Sequence, residues 1–499
     1  MLTKSAVNKI LHYFLAPAAG FAIILIFTHH SGIGIDPDSV VYLKAAQNLH
    51  QNGTLTDFMH QPVIEFPLFY PLFLSSGIFI TGLQPSSFAP LLNAGLFALL
   101  IILSAYLLQK IPSLVKWQRT ALLSCIVFSP AIMEVYSFLW SETLFLIFLL
   151  LFILSLNRYF FSFSKRILIL TATLAALAAI TRYAGITLIG TGALLIIVNR
   201  KLSLWKKLTD GLIFGLISSL PLVINLVRNY IQTGMLTGYR ESSQIPLTQN
   251  LNHIGSALYN WLPFLNGHSM GAEWFAALVI IILLIDFIRL SLRKNNPPQL
   301  EHIATSFSLI YLLFILTIAS ISRFEILNSR FLSPVFIPLL FCFGKWIILA
   351  TKRIPYHWLG MSVGLILFLL FQFGQLRSDY ETWDGVKDAG IPGYTEEQWT
   401  ASETVRFIQK DSLPFQQNHT IWSNANDAVY FFTGREGKFL PHKEFNKELQ
   451  ELLDDPHCYV VWFNDGENPD LVDKDFLVKN KKMTLVKEFD DGAIYAYDK

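Results

Sequence analysis

With 499 residues, 53% of them hydrophobic, 14% aromatic and only 15% charged, the chain is too apolar for a water-soluble enzyme of this length. Its 38 basic and 36 acidic residues nearly cancel to a net charge of +2, and they form no long basic stripe, which argues against a nucleic-acid partner. Cys125, Cys342 and Cys458 stand far apart, which excludes a disulfide framework and a paired-cysteine metal site.

A helix crosses the hydrocarbon core with about 20 apolar residues. That rule predicts about eleven spans, near 12–29, 87–109, 120–135, 138–157, 166–181, 184–199, 208–227, 274–291, 303–321, 331–350 and 357–375. Basic residues gather at alternate connections: Lys4 and Lys9; Lys110, Lys116 and Arg119; Arg158, Lys165 and Arg166; Arg200, Lys201, Lys206 and Lys207; Arg289, Arg293 and Lys294; Lys352 and Arg353. The positive-inside rule puts these in the cytoplasm, so the loops 32–86 and 228–273 and the tail from about 376 share the extracytoplasmic side. A cleaved signal peptide ending near Ser31 lacks a small-residue cleavage motif. A single bent span over 166–199 would reverse every later connection against the basic pattern.

Between the first two spans stands "GIGIDPDSVVYLKAAQNL", residues 32–49. Val41, Ala45 and Leu49 recur every four residues, which predicts a short helix along the membrane surface with Asp38 at its start. Asp36 and Asp38 read equally as caps of that helix or as carboxylates that take a proton from an acceptor hydroxyl or amine while a lipid presents the reacting carbon. Glu142 opens the helix of "SFLWSETLFLIFLLL"; it is either a charge favoured by the helix dipole or, with Asp36 or Asp38, a ligand for a hard divalent cation. His60 and Glu65 are further candidate ligands, whereas His29, His30, Trp140 and Tyr183 read as interfacial residues.

The tail, 376–499, changes composition. "HTIWSNANDAVYFFTGREGKFLP", "CYVVWFND" and "MTLVKEFDDGAIYAYD" alternate apolar stretches with turn residues, and "TEEQWTASETVRFIQK" has helical spacing behind Thr395 or Ser402. A small α/β domain is expected, with 1–375 as the transmembrane domain and membrane-parallel helices in loop 30–86. The triplet Asn418-His419-Thr420 matters only in a glycosylating pathway.

Asp38 followed four residues on by Tyr42, then an Ala-rich turn and a Gly-containing exit, resembles the first outer loop of GT-C membrane glycosyltransferases, of the protein O-mannosyltransferase and lipid A aminoarabinose transferase types. "EFPLFYPLFLSSG" from Glu65, the Glu142 segment, "AAITRYAGITLIG" with Arg182 and Tyr183, and "NSRFLSPVFIPLL" with Arg330 resemble further stretches of that family in the same order. The resemblance implies a mainly helical polytopic fold with a small C-terminal extracytoplasmic α/β domain, and a sugar donor on polyprenyl phosphate. It implies Asp38 as general base with Asp36 competing, Glu142 as a second acid, and Tyr42, His60, Glu65, Arg182, Tyr183 and Arg330 toward substrate. The two arginines would grip the leaving phosphate in a fork, or else pair with acids or headgroups. A divalent cation on Asp38 and Glu142, a lipid, glycan or protein acceptor, surrounding membrane lipids and a bacterial plasma membrane complete the expectation. Two features depart from the family: an acid on each side of Pro37, and Ser39 where some relatives carry a second acid. The rival readings are a ligase or polymerase of lipid-linked glycans, a transporter or flippase, and a noncatalytic scaffold. A transporter would carry ion-relaying acids and repeats; Asp286 lies near a cytoplasmic end and no repeat is visible.

Overall fold

The computed structural model describes residues 10–498 apart from 113, 239, 241, 263–264, 266, 293–298, 324, 352–356, 411–418, 465–467 and 469. Lys4, Lys9, Arg293, Lys294, Lys352, Arg353 and Asn418 of the sequence argument lie outside the described residues. The chain is mainly helical. In order, α1 (Leu11–Phe27), α2 (Pro37–Asn52), α3 (Phe69–Thr81), α4 (Pro85–Gln109), α5 (Lys116–Val127), α6 (Pro130–Ser137), α7 (Glu142–Ser162) and α8 (Lys165–Thr181) form the first part. There follow α9 (Ile186–Val198), α10 (Leu204–Thr233), α11 (Leu247–Asn260), α12 (Ala272–Ser291), α13 (Leu300–Ile321), α14 (Ser329–Thr351) and α15 (His357–Ala389).

Each apolar segment of the sequence coincides with a helix, though not with a simple crossing. Among the described residues six helices are long and apolar enough to cross a membrane, and a seventh crossing forms if α5 and α6, bent by 45°, count as one. The bend falls before Pro130, whose ring cannot continue a helix, so Ser129 restarts it by accepting a hydrogen bond from the Ile132 N–H. The span expected over 138–157 begins instead at Glu142, because residues 138–140 leave α6 and pass beside Gly34, with Phe138 in extended backbone. Along α10, Leu212, Leu216, Leu220, Val223 and Val227 are exposed at helical spacing, an apolar stripe suited to lipid. The protein is an integral multi-pass membrane protein.

After α15 the chain builds a five-stranded sheet in the order β2-β1-β3-β5-β4, from β1 (Thr420–Ser423), β2 (Lys438–Phe439), β3 (His457–Phe463), β4 (Thr484–Phe489) and β5 (Gly492–Asp498). β1 runs parallel to β2 and β3, while β5 runs antiparallel to β3 and β4. One face buries Trp422, Leu440, Leu452, Val460 and Trp462. On the other, Val461, Phe463 and Ile494, with α16 (Asn426–Thr433), join a core that includes Ile35, Val40, Tyr42 and Phe58 of the loop after α1. The Tyr394 N–H donates to Ile35 C=O at 2.8 Å, the Ile391 N–H donates to Ser31 Oγ at 3.0 Å, and Phe58 stacks on Tyr430 at 5.0 Å. The sheet region is therefore seated on the segment that carries Asp36 and Asp38.

Candidate active site

Asp36 is the N-cap of α2: its Oδ1 accepts from the Ser39 N–H at 2.8 Å and from Ser39 Oγ at 2.7 Å, Pro37 occupies the first turn, and Gly53 (φ 70°) closes the helix. The predicted start at Asp38 thus moves back by two residues. Gly34 makes a parallel bridge with Phe138, through its N–H to Ser137 C=O at 2.8 Å and the Leu139 N–H to its own C=O at 3.1 Å. A Cβ at Gly34 would stand 2.7 Å from the Phe138 ring and 2.6 Å from Ile391, so only glycine permits this approach. The bridge aligns 34–38 with 138–142 and so brings Asp36 and Asp38 beside Trp140 and Glu142.

Arg330, on the first turn of α14 and 7% exposed, joins all three acids. Its Nε donates to Glu142 Oε1 at 2.8 Å, its Nη1 to Asp36 Oδ2 at 3.3 Å, and its Nη2 to Asp38 Oδ2. The guanidinium also lies 3.9 Å from the Trp140 ring centroid, and Trp140 Nε1 donates to Asp36 Oδ2 at 2.6 Å. Arg182, at the end of α8, pairs with Glu142 Oε2 and donates to Ser141 Oγ at 2.9 Å. Tyr42, buried against Phe66 and Tyr70, holds its hydroxyl 3.1 Å from the same Ser141 Oγ. Three carboxylates and two guanidiniums thus interlock, with one more acid than base.

The acids differ in circumstance. Asp36 is spent on the cap, Trp140 and Arg330, and Glu142 is 1% exposed. Asp38 keeps 23% of its side chain open. Burial, then the neighbouring charge of Asp36, pushes its carboxyl up to about 6 against the pull of Arg330; burial raises Asp36 as well. Asp38 is the acid whose proton affinity suits a base near neutral pH.

The other expected residues divide. The Tyr183 hydroxyl donates to Ile64 C=O at 2.8 Å and accepts from Asn229 Nδ2 at 3.1 Å, which anchors the segment before Glu65. Glu65 is exposed, with its side chain beside Gly238. His60 is not brought to the cluster; it sits at φ 56° with Nε2 3.1 Å from Glu436 Oε1 of the sheet region. Trp140 is buried inside the cluster, not placed at the interface. As candidates for a cation, Asp38 and Glu142 both already carry the Arg330 guanidinium, so in this arrangement a positive side chain stands where the ion would bind. Sequence reasoning gave no site role to Ser39 or Ser141 and passed over Asn225, Arg228 and Asn229. The signal for the last three was there in "INLVRNY", amide and guanidine groups at helical spacing inside an apolar span, which are costly without partners.

Two cavities are lined in part by α14, and neither has an acid or arginine of the cluster in its wall. One, of about 480 Å³, is apolar and lies among α5, α11, α12, α14 and α15, with Trp117, Phe275, Phe343 and Phe368 in its wall. The other, of about 520 Å³, is polar and reaches Glu134, Ser329, Gln375 and Asp379. Both are lined by Trp261 and Phe336. Phe138, in the wall of the polar cavity, stacks on Trp140 at 4.2 Å.

No protein-family model and no curated protein sequence matches the chain. In three dimensions its fold is that of the GT-C membrane glycosyltransferases. It is similar to ArnT from Cupriavidus metallidurans in the apo state, with 14% identity, a TM-score of 0.57, and 99% of this chain and 98% of that one covered. The same protein bound to undecaprenyl phosphate matches at 11% identity and a TM-score of 0.57, over 97% of each chain. The archaeal oligosaccharyltransferase AglB from Archaeoglobus fulgidus, in complex with an inhibitory peptide and a dolichol-phosphate, matches at 10% identity and 0.51, over 90% of this chain and 69% of that one.

Proposed function

We propose that this chain is a glycosyltransferase that moves a sugar from a polyprenyl-phosphate donor to a lipid, glycan or protein acceptor at the extracytoplasmic face of a bacterial plasma membrane, with Asp38 as general base. The observation that carries this reading is the open, proton-avid Asp38 held against Arg330 and the buried Glu142 at the ends of membrane helices. The acceptor oxygen attacks the anomeric carbon, the bond from that carbon to the phosphate oxygen breaks, its electron pair leaves with the phosphate, and the acceptor proton passes to Asp38. Arg182, 19% exposed, and Arg330 turn their free N–H groups to the departing phosphate. The apolar cavity takes part of the prenyl chain and the adjoining polar one the group attached to it, in keeping with the lipid phosphates bound by the similar structures. The basic connections support the assignment of face, and the sheet region, seated on the α2 loop, helps to shield the site.

The test is transfer or hydrolysis of radiolabelled sugar from a panel of polyprenyl-phosphate monosaccharides by purified protein in lipid, with Asp38→Asn alongside. Turnover lost in the folded variant supports the proposal. A folded wild type that consumes no donor in the panel, or a variant that keeps its rate, overturns it.

A further inference from the structure

At one end of the C-terminal sheet, remote in sequence from the acids of the membrane site, three metal-ligating side chains fall into a row. β1 pairs in parallel with β3, Thr420 opposite Cys458, which sets His419 beside His457. β3 pairs antiparallel with β5, His457 opposite Asp498. Partners across neighbouring strands point to the same face, so the two imidazoles and the carboxylate converge.

The contacts bear this out. His457 Nδ1 lies 2.5 Å and His419 Nε2 3.1 Å from the same Asp498 Oδ1, the imidazole centroids are 5.3 Å apart, and one ligand atom from each residue lies within 4.8 Å of the others. His419 is 5% exposed, and its Nδ1 is buried with no partner among the described residues. His457 and Asp498 remain open to solvent, which leaves an ion a way in. Two imidazoles drawn onto one carboxylate oxygen crowd two donors on a single acceptor atom.

We propose that His419, His457 and Asp498 form a binding site for a divalent transition-metal cation, of which zinc suits the donor set best. Two neutral nitrogens and one carboxylate oxygen are ligands zinc accepts at about 2.0–2.2 Å, which for a tetrahedral ion puts the ligand atoms roughly 3.3 Å apart. The His419 to Asp498 separation is already close to that value, and the exposed Asp498 can open the shorter one. On binding, each imidazole presents a lone pair in place of an N–H, and the fourth position stays open to water. The ion ties β1, β3 and β5 together at one end and is separate from the Arg330 cluster.

The experiment is a titration of the full chain in detergent, any histidine tag removed and residual metal stripped with a chelator, with Zn²⁺ followed by calorimetry and Co²⁺ by its visible absorption. One equivalent is expected to bind, with affinity lowered at least tenfold in His457→Gln and in Asp498→Asn and unchanged in Cys458→Ser. Circular dichroism identifies any variant that fails to fold, and the exposed Asp498→Asn then decides alone. No saturable binding by wild type, or equal binding by the folded Asp498→Asn variant, overturns the proposal.

Discussion

Arg330 Nε lies 2.8 Å from Glu142 Oε1, although 188 residues separate them in the chain. The same guanidinium serves Asp36 and Asp38, so one side chain on α14 holds the α2 loop and the start of α7 in place. Removing it leaves three acids facing one another, with Arg182 the one remaining guanidinium of the interlock.

Arg330→Met is therefore expected to cost about 3–5 kcal/mol, the usual effect of stripping one partner from a buried ionic group. Thermal unfolding in detergent measures it, with Arg330→Lys falling between the two because a point charge cannot fork to three carboxylates. Equal unfolding midpoints for wild type and Arg330→Met would mean that the acids are solvated and not held by the arginine.

Asp36 and Asp38 are expected to separate by phenotype. Asp36→Ala removes a helix cap and lowers stability by roughly 0.5–2 kcal/mol, visible in the unfolding midpoint. Asp38→Asn leaves the cap intact but lowers turnover by roughly 10²–10⁴-fold, as for loss of a general base. The reverse pattern would transfer the base role to Asp36.

Turnover is expected to fall in acid. The Asp38 carboxyl, pushed up to about 6, is ionised and able to accept a proton above that pH and is protonated and inert below it. The rate should rise with pH through a midpoint near that value. A profile flat from pH 5 to 8 would remove Asp38 from the proton transfer.

Gly364 lines the apolar cavity, and a Cβ there meets nothing within 4 Å. Gly364→Phe should fill part of the cavity and raise KM for a long-chain polyprenyl donor by about tenfold while sparing a short-chain analogue, a loss of uniform binding. Equal KM changes for both donors would place the lipid chain elsewhere.

Gly34→Val should break the bridge to Phe138, because the added carbons have no room between that ring and Ile391. A loss of about 1–3 kcal/mol is expected from such overpacking, with the junction between the sheet region and the α2 loop cleaved faster by protease. An unchanged digestion pattern would show that the junction holds without the bridge.

The membrane character, the helix at each apolar segment, the small C-terminal sheet and the candidate acids were all legible in the sequence, because each follows from local composition or spacing: long apolar runs, alternation, and an acid ahead of a helical pattern. What the pattern could not decide was partnership. Asp36 and Asp38 are two residues apart and chemically alike, and only the fold shows that one is spent on Ser39 and Trp140 while the other stays open. Hydropathy likewise hid the break at Pro130, where one apolar run folds as two helices bent by 45°. His419, His457 and Asp498 carry no motif, since strand register alone makes them neighbours. Sequence by itself determined which segments leave water and which residues carry charge. Tertiary structure decided which charges meet, because contacts across 188 residues, as between Glu142 and Arg330, depend on how helices and strands close on one another and leave no periodic trace in the chain.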